Sequence, residues 1–346
     1  MTEFSAKIFG TPTAQAILSL SFARIGKTRI RTMGAISLVC NAARVAPAVP
    51  LSPPTRMSTR AAPRDVSWDP EGLFKNQTTK MSFFKEEEGE SSESTVPPLQ
   101  DAFLSKHPIR ATPKGGLSDL KKFSKMLKEK YMPVDVTDSR VRILHLDPPI
   151  LLVDEFFARD ECEDIIEKLE ATGRMAASTI GAGNLYGDNA SSNRRTSSSV
   201  LIDDEIMKEY PDIKAFAESL QAKAFALLTK GAARDPEPWG RPGRAMLHRQ
   251  WAFEGMQAAV YKKGQHFLEH EDAFPAALAD ENRFQRHATV LLYLNDVENG
   301  GETTFTHLDV SVKPRAGSVL IFFPAFSNSE ADHRTLHIAR EAVRIV

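Results

Sequence analysis

The stretch Tyr261-Lys-Lys-Gly-Gln-His-Phe-Leu-Glu-His270-Glu-Asp272, answered far down the chain by Arg334-Thr-Leu-His337, decides the reading of this sequence. It offers two imidazoles and one carboxylate. In His-x-Asp the one-residue gap places both side chains on the same side of an extended segment. A third ligand from elsewhere completes a face rather than a closed cage, and the opposite face stays open. Two histidines and one carboxylate suit iron(II). Imidazole is a borderline nitrogen donor, and the carboxylate lowers the net charge of the site. A structural zinc site is the inorganic rival, but it wants four closed ligands and usually cysteines.

His-x-Asp occurs three times, as His145-Leu-Asp147, His270-Glu-Asp272 and His307-Leu-Asp309. Flanking sequence separates them. His145 precedes Pro148-Pro149 at the entrance to the folded body and is assigned a structural or surface role. His307 follows the turn Gly300-Gly-Glu-Thr-Thr-Phe305 and is placed on a surface loop. His270-Glu-Asp272 follows a β-rich run. The 65 residues from Asp272 to His337 let several strands return the chain to the same mouth. His333 competes with His337, but the segment after it looks extended, so His337 is the expected ligand and His333 an exposed neighbour.

Outward from this motif the pattern is β-rich. Short runs at 257–262, 288–294, 311–313 and 319–323 alternate with Gly-containing turns, the signature of a small barrel or jelly roll. Upstream the pattern is helical. Cys162, Ile165, Ile166 and Leu169 recur at helical spacing, with Asp160 as the expected cap and Gly173 as the stop. Ile213, Phe216, Ala217, Leu220, Ala224 and Leu227 form one apolar stripe behind Pro211. A short helix is expected at 117–131, and 150–153 reads as a buried strand. Segments 181–193 and 235–243 read as loops. The fold class is therefore α+β, a double-stranded β-helix (jelly roll) core with flanking N-terminal helices.

The chain has 346 residues, 42% of them hydrophobic and 26% charged, which is ample for a buried core. Charge is uneven. Residues 1–64 hold nine Lys/Arg against one acidic residue, while the rest holds 35 basic against 44 acidic. An acidic body is a poor match for phosphate backbones, and no nucleic acid is expected as partner. The domain plan is a basic targeting or disordered leader at 1–64, a polar and mostly disordered linker at 65–140, and the catalytic domain at 141–346. The charge run at 85–94 is too polar to order itself. The apolar patches at 16–23 and 33–39 are too short for a membrane span, so no transmembrane segment is expected. The leader is rich in Arg, Ser, Thr and Ala, the makeup of an organellar transit peptide, mitochondrial or plastid, with a secretory signal near Met33 as the alternative. Of the two cysteines, Cys40 and Cys162, no disulfide is expected, and Cys162 reads as a small buried hydrophobe.

Residues 148–346 resemble the prolyl 4-hydroxylase family of 2-oxoglutarate- and iron(II)-dependent dioxygenases. The matching pieces come in the family's order. They are the entry strand and helix at 150–162, Arg195-Thr-Ser197, Gly264-Gln265 leading into the metal motif, and Asn295 leading to Gly300-Gly-Glu-Thr303. Val312-Lys-Pro314 and the distal Arg334-Thr-Leu-His337 complete the set. The resemblance implies iron held by His270, Asp272 and His337, with 2-oxoglutarate and O2 as co-substrates and ascorbate as reductant. It implies hydroxylation of a peptidyl residue, proline first, in a peptide or protein substrate. Tyr261 and Thr289 match positions that line the co-substrate pocket. The family also carries a basic residue nine or ten positions after the distal histidine, where this sequence stops at Val346. That departure implies a shortened final strand and weaker 2-oxoglutarate binding. A metal-binding homologue impaired in catalysis follows from it, and a small-molecule hydroxylase on the same fold is a separate alternative, since fold analogy does not fix the substrate.

Overall fold

The computed structural model describes residues 14–24, 98–114, 117, 119–178, 193–228, 251–282 and 285–345. Most of the leader, the charge run, and the loops expected at 181–193 and 235–243 lie outside these residues, apart from Asn193.

A ten-stranded antiparallel sheet forms the backbone of the fold. Its first half runs through β2 (Arg110–Ala111), β3 (Val141–Asp147) and β4 (Ile150–Val153). It continues through β14 (Val319–Phe322) to β10 (Arg286–Tyr293). Then comes β1 (Ala14–Arg24), and beyond it β8 (Met256–Lys262), β6 (Ser198–Ile202) and β5 (Ala176–Ala177). β7 (Trp251–Phe253) pairs with the end of β1. A four-stranded sheet faces this one, in the order β13 (Val310–Val312), β12 (Thr303–Phe305), β15 (His337–Ala339) and β9 (Phe267–His270). β11 (Val297–Gly300) and β16 (Ala342–Ile345) form a separate pair.

The large sheet has two apolar faces, which the period of two along each strand keeps apart. Leu18, Leu151, Val153, Val290, Leu292 and Ile321 join the outer core, covered by helices. Ile17, Tyr261, Tyr293, Leu320 and Phe322 join the inner core between the two sheets, where Phe305 meets them from β12. This double-sheet sandwich is the expected jelly roll.

The covering helices follow their apolar stripes. α1 is Asp101–Lys106 and α2 is Leu120–Lys130, which buries Phe123 and Leu127. α3 (Arg159–Ala171) buries Cys162, Ile165 and Leu169. Its cap differs from expectation. The cap residue is Ala158, whose N–H donates to the Glu161 carboxylate at 2.8 Å, and not Asp160. α4 is Asp204–Glu209, and α5 (Pro211–Leu228) buries Ile213, Ala217, Leu220, Ala224 and Leu227. α6 spans Ala276–Asn282. Burial pushes the Cys162 thiol up to about 11, so it stays protonated and acts as the small hydrophobe expected.

The structure corrects two expectations about chain organisation. Residues 14–24, assigned by composition to the leader, form a strand in the middle of the sheet. The basic surroundings conceal a period-two pattern, Leu18, Leu20 and Phe22 alternating with Ser19 and Ser21. The segment 98–140, assigned to the linker, is built into the body: Leu127, Tyr131 and Met132 are 0–1% exposed. Its polarity belongs to the outer face of α2 and to buried charges that are matched by distant residues. At the far end β16 pairs with β11.

Candidate metal centre

β9 and β15 pair in antiparallel register, with His270 opposite His337. Neighbours across a ladder share a face, so both imidazoles point into the mouth between the sheets. Asp272 lies just past the end of β9. One donor atom from each of His270, Asp272 and His337 lies within 4.8 Å of the others. The approach of His270 Nε2 to Asp272 Oδ1 is 3.8 Å.

The surroundings fix each donor. His270 Nδ1 donates to the Leu268 carbonyl at 2.8 Å, and His337 Nδ1 donates to the Thr335 carbonyl at 3.0 Å. Both protons are thereby held on Nδ1, leaving the Nε2 lone pairs for a ligand. Phe267 lies flat on the His270 ring at 3.6 Å, and the Arg195 guanidinium covers Phe267 at 4.9 Å. Phe322 meets the His337 ring edge-on at 4.8 Å. Thr289 donates from Oγ1 to Asp272 Oδ2 at 2.6 Å, leaving Oδ1 facing the imidazoles. Arg286 donates to the Asp272 carbonyl at 3.2 Å and is itself held by both oxygens of Glu254.

Electrostatics suit a divalent cation. Burial, and then the neighbouring His337, push the His270 imidazole down to about 3, so it stays neutral. Burial alone would raise Asp272. The His337 and His270 rings, the Arg286 charge and the Thr289 hydrogen bond outweigh burial and hold it below its ordinary value. With His270 neutral and Asp272 ionised, the set offers a nitrogen donor and a carboxylate anion beside the Nε2 of His337. These residues fit iron(II), since three donors fill one face of its coordination sphere.

The remaining candidates separate cleanly from this cluster. His145 is 3% exposed on β3, with Nδ1 2.7 Å from the Pro148 carbonyl, and stands apart from the three ligands. His307 sits in the turn after β12. His333 is half-exposed and pairs with Glu271 at 2.7 Å. Tyr261 lies on β8 in the inner core. Thr289 lies on β10, and its hydroxyl donates to Asp272. Sequence reading does not single out Phe267, Arg286 or Glu254 for the roles they hold. Phe267 has a usable signal, as the aromatic nearest His270 on the same strand. The Arg286–Glu254 pair spans 32 residues and has no local signal.

Residues 256–346 match the 2OG-Fe(II) oxygenase superfamily. The chain is 31% identical over 217 residues to probable prolyl 4-hydroxylase 7 of Arabidopsis thaliana, covering 58% of this chain and 60% of that protein. It is 30% identical over 220 residues to probable prolyl 4-hydroxylase 6 of the same plant, covering 58% of this chain and 67% of that protein. The chain belongs to the prolyl 4-hydroxylase family of 2-oxoglutarate- and iron(II)-dependent oxygenases. It spans roughly two thirds or less of the length of these relatives. Among solved structures, a viral collagen prolyl hydroxylase from Paramecium Bursaria Chlorella virus-1 is 22% identical with a TM-score of 0.35, covering 56% of this chain and 89% of that one. A Pseudomonas putida prolyl-4-hydroxylase is 16% identical with a TM-score of 0.37, covering 56% and 87%.

Proposed function

We propose that this chain is a 2-oxoglutarate- and iron(II)-dependent dioxygenase that hydroxylates a peptidyl residue, proline being the first candidate. One observation carries the reading: His270, Asp272 and His337 converge at the open end of the jelly roll, with both Nδ1 atoms bonded to carbonyls and both Nε2 atoms left for a ligand. The names of the relatives support proline and a peptide substrate.

His270, Asp272 and His337 would hold the iron. Bound there, iron(II) supplies activation of O2 coupled to conversion of 2-oxoglutarate to succinate and carbon dioxide, with the second oxygen atom inserted into a substrate C–H bond. The chain's share is orientation and exclusion of water. The carbonyls of Leu268 and Thr335 keep each imidazole in one tautomer, and Thr289 keeps one Asp272 oxygen turned inward. Phe267 and Phe322 wall the two imidazoles against rotation and against bulk solvent. Ascorbate fits this scheme as the reductant that keeps the iron ferrous.

The test is anaerobic loading with iron(II), then exposure to air with 2-oxoglutarate, ascorbate and a panel of proline-containing peptides. Succinate release matched by a one-oxygen mass gain on a peptide is the expected result. Succinate release matched instead by oxidation of free amino acids would replace the peptide reading with a small-molecule one.

A further inference from the structure

The ten-stranded sheet contains a strand from outside its neighbourhood in sequence. β1 lies between β8 and β10 and runs antiparallel to both. Tyr293, Leu292 and Leu291 of β10 face Ile17, Leu18 and Ser19 from one side, and Ala259, Ala258 and Gln257 of β8 face them from the other. Among the described residues β8 and β10 make no pair with each other, so β1 alone joins the two halves of the large sheet. Further hydrogen bonds add to the ladder: the Ala16 N–H donates to Asn295 Oδ1 at 2.6 Å, and the Leu294 N–H donates to the Ala16 carbonyl at 2.9 Å.

Both faces of the strand are buried. Leu18 and Leu20, 0% and 1% exposed, enter the helix-covered core. Ile17 enters the inner core with Tyr261, Phe305 and Phe322, the last two of which touch the His337 ring. The inner core behind the metal centre is therefore built in part by the N-terminal segment. We propose that the groove between β8 and β10 is a strand-binding site occupied by Ala14–Arg24 of this same chain. Pairing and burial hold the strand in place, and covalent continuity with the body is not required. Such addition of a strand along two free edges recruits main-chain hydrogen bonds for affinity and alternate side chains for specificity. Processing that leaves 14–24 in place is compatible with the fold, and loss of 14–24 removes its side chains from both cores.

This inference does not rest on the activity proposed above, and its readouts do not involve turnover. A protease recognition sequence inserted after Arg64 of the full chain allows cutting under native conditions. The expected result is that the N-terminal fragment co-elutes with the body in gel filtration and separates only in denaturant. A fragment that leaves the body under native conditions would overturn the proposal. Point variants give an independent reading. Leu18→Asp in the uncut chain is expected to lower the melting temperature by about ten degrees or more, or to prevent folding. Leu201→Asp, at a 49%-exposed leucine on the neighbouring β6, is expected to shift it by no more than a few degrees. A Leu18→Asp protein that melts like the parent chain places the segment outside the core and sinks the idea.

Discussion

Thr289 shows how much one hydroxyl can decide. Its 2.6 Å hydrogen bond to Asp272 Oδ2 occupies one carboxylate oxygen and turns the other toward the imidazoles. Thr289→Val keeps the shape of the side chain and removes the donor. Partners of this kind, one layer behind the ligands, typically change metal affinity by about 10- to 100-fold when lost. We expect iron(II) binding to weaken by that order, while the unchanged side-chain shape keeps this 3%-exposed strand position packed and the protein folded. Titration with iron(II) or cobalt(II), read beside a melting curve, checks both halves. An unchanged affinity would return Thr289 to the co-substrate role that sequence resemblance implies. The residue pattern alone does not choose between those roles, since it shows a threonine on a strand but not which way its hydroxyl is spoken for.

At the scale of elements, a buried charge cluster ties the segment before β3 to the turn that presents His337. Arg334 is 0% exposed and donates to both oxygens of Asp332, to Asp147 Oδ1, to the Tyr131 hydroxyl and to the carbonyls of His107 and Pro108. Lys130 reaches the other Asp147 oxygen at 2.7 Å. Removing one partner of such a set leaves uncompensated charge in the interior, at about 3–5 kcal/mol. Arg334→Met should lose stability of that order in chemical denaturation. Arg334→Lys should not restore it, because a point charge cannot replace a planar fork that serves several acceptors. A loss under about 1 kcal/mol would mean that the cluster is solvated in solution.

A second element-scale joint is Gly317, between β13 and β14. Its φ is +77°, and a Cβ there would come within 2.0 Å of the Phe157 carbonyl oxygen. The Gly317 carbonyl meanwhile accepts from the N–H groups of Phe156 and Phe157, just before α3. Gly317→Ala must therefore move backbone rather than a flexible side chain. We expect a loss on the order of 3 kcal/mol or failure to fold. Near-normal melting would show that the α3 approach can shift without cost. These joints mark where sequence reading stops. The α3 and α5 stripes and the runs around His270 and His337 are legible because their periodicity is local. β1 is obscured by its basic flanks, and the Arg334 cluster spans 187 residues to Asp147 without any periodic trace.

For the molecule as a whole, the buried and part-buried histidines set the response to acid. His107, His145 and His307 are all held below the ordinary imidazole value, in each case chiefly by burial, which disfavours the charged ring. His270 is displaced in the same direction. In the unfolded chain these rings take up a proton near a pH of about 6.5, while in the folded chain they resist it until lower pH. The unfolded state therefore binds more protons in that window, and stability falls as pH drops below about 6.5. His333 opposes the trend, because its hydrogen bond to Glu271 raises it; that contribution is present at low pH and is lost as pH rises through its folded value. It is one half-exposed ring against the buried His145 and the part-buried His107, His270 and His307, so the depressed group prevails. The metal-free protein is expected to melt progressively lower as the solution is taken from about pH 7 to about pH 5.5. His145→Gln, which removes a ring that is 3% exposed and outside the three-residue donor set, should be less stable at neutral pH yet lose less on acidification than the parent chain. Parallel melting curves for parent and variant across that range would exclude His145 as a source of the acid response, and a parent that stabilises on acidification would reverse the sign of the whole argument.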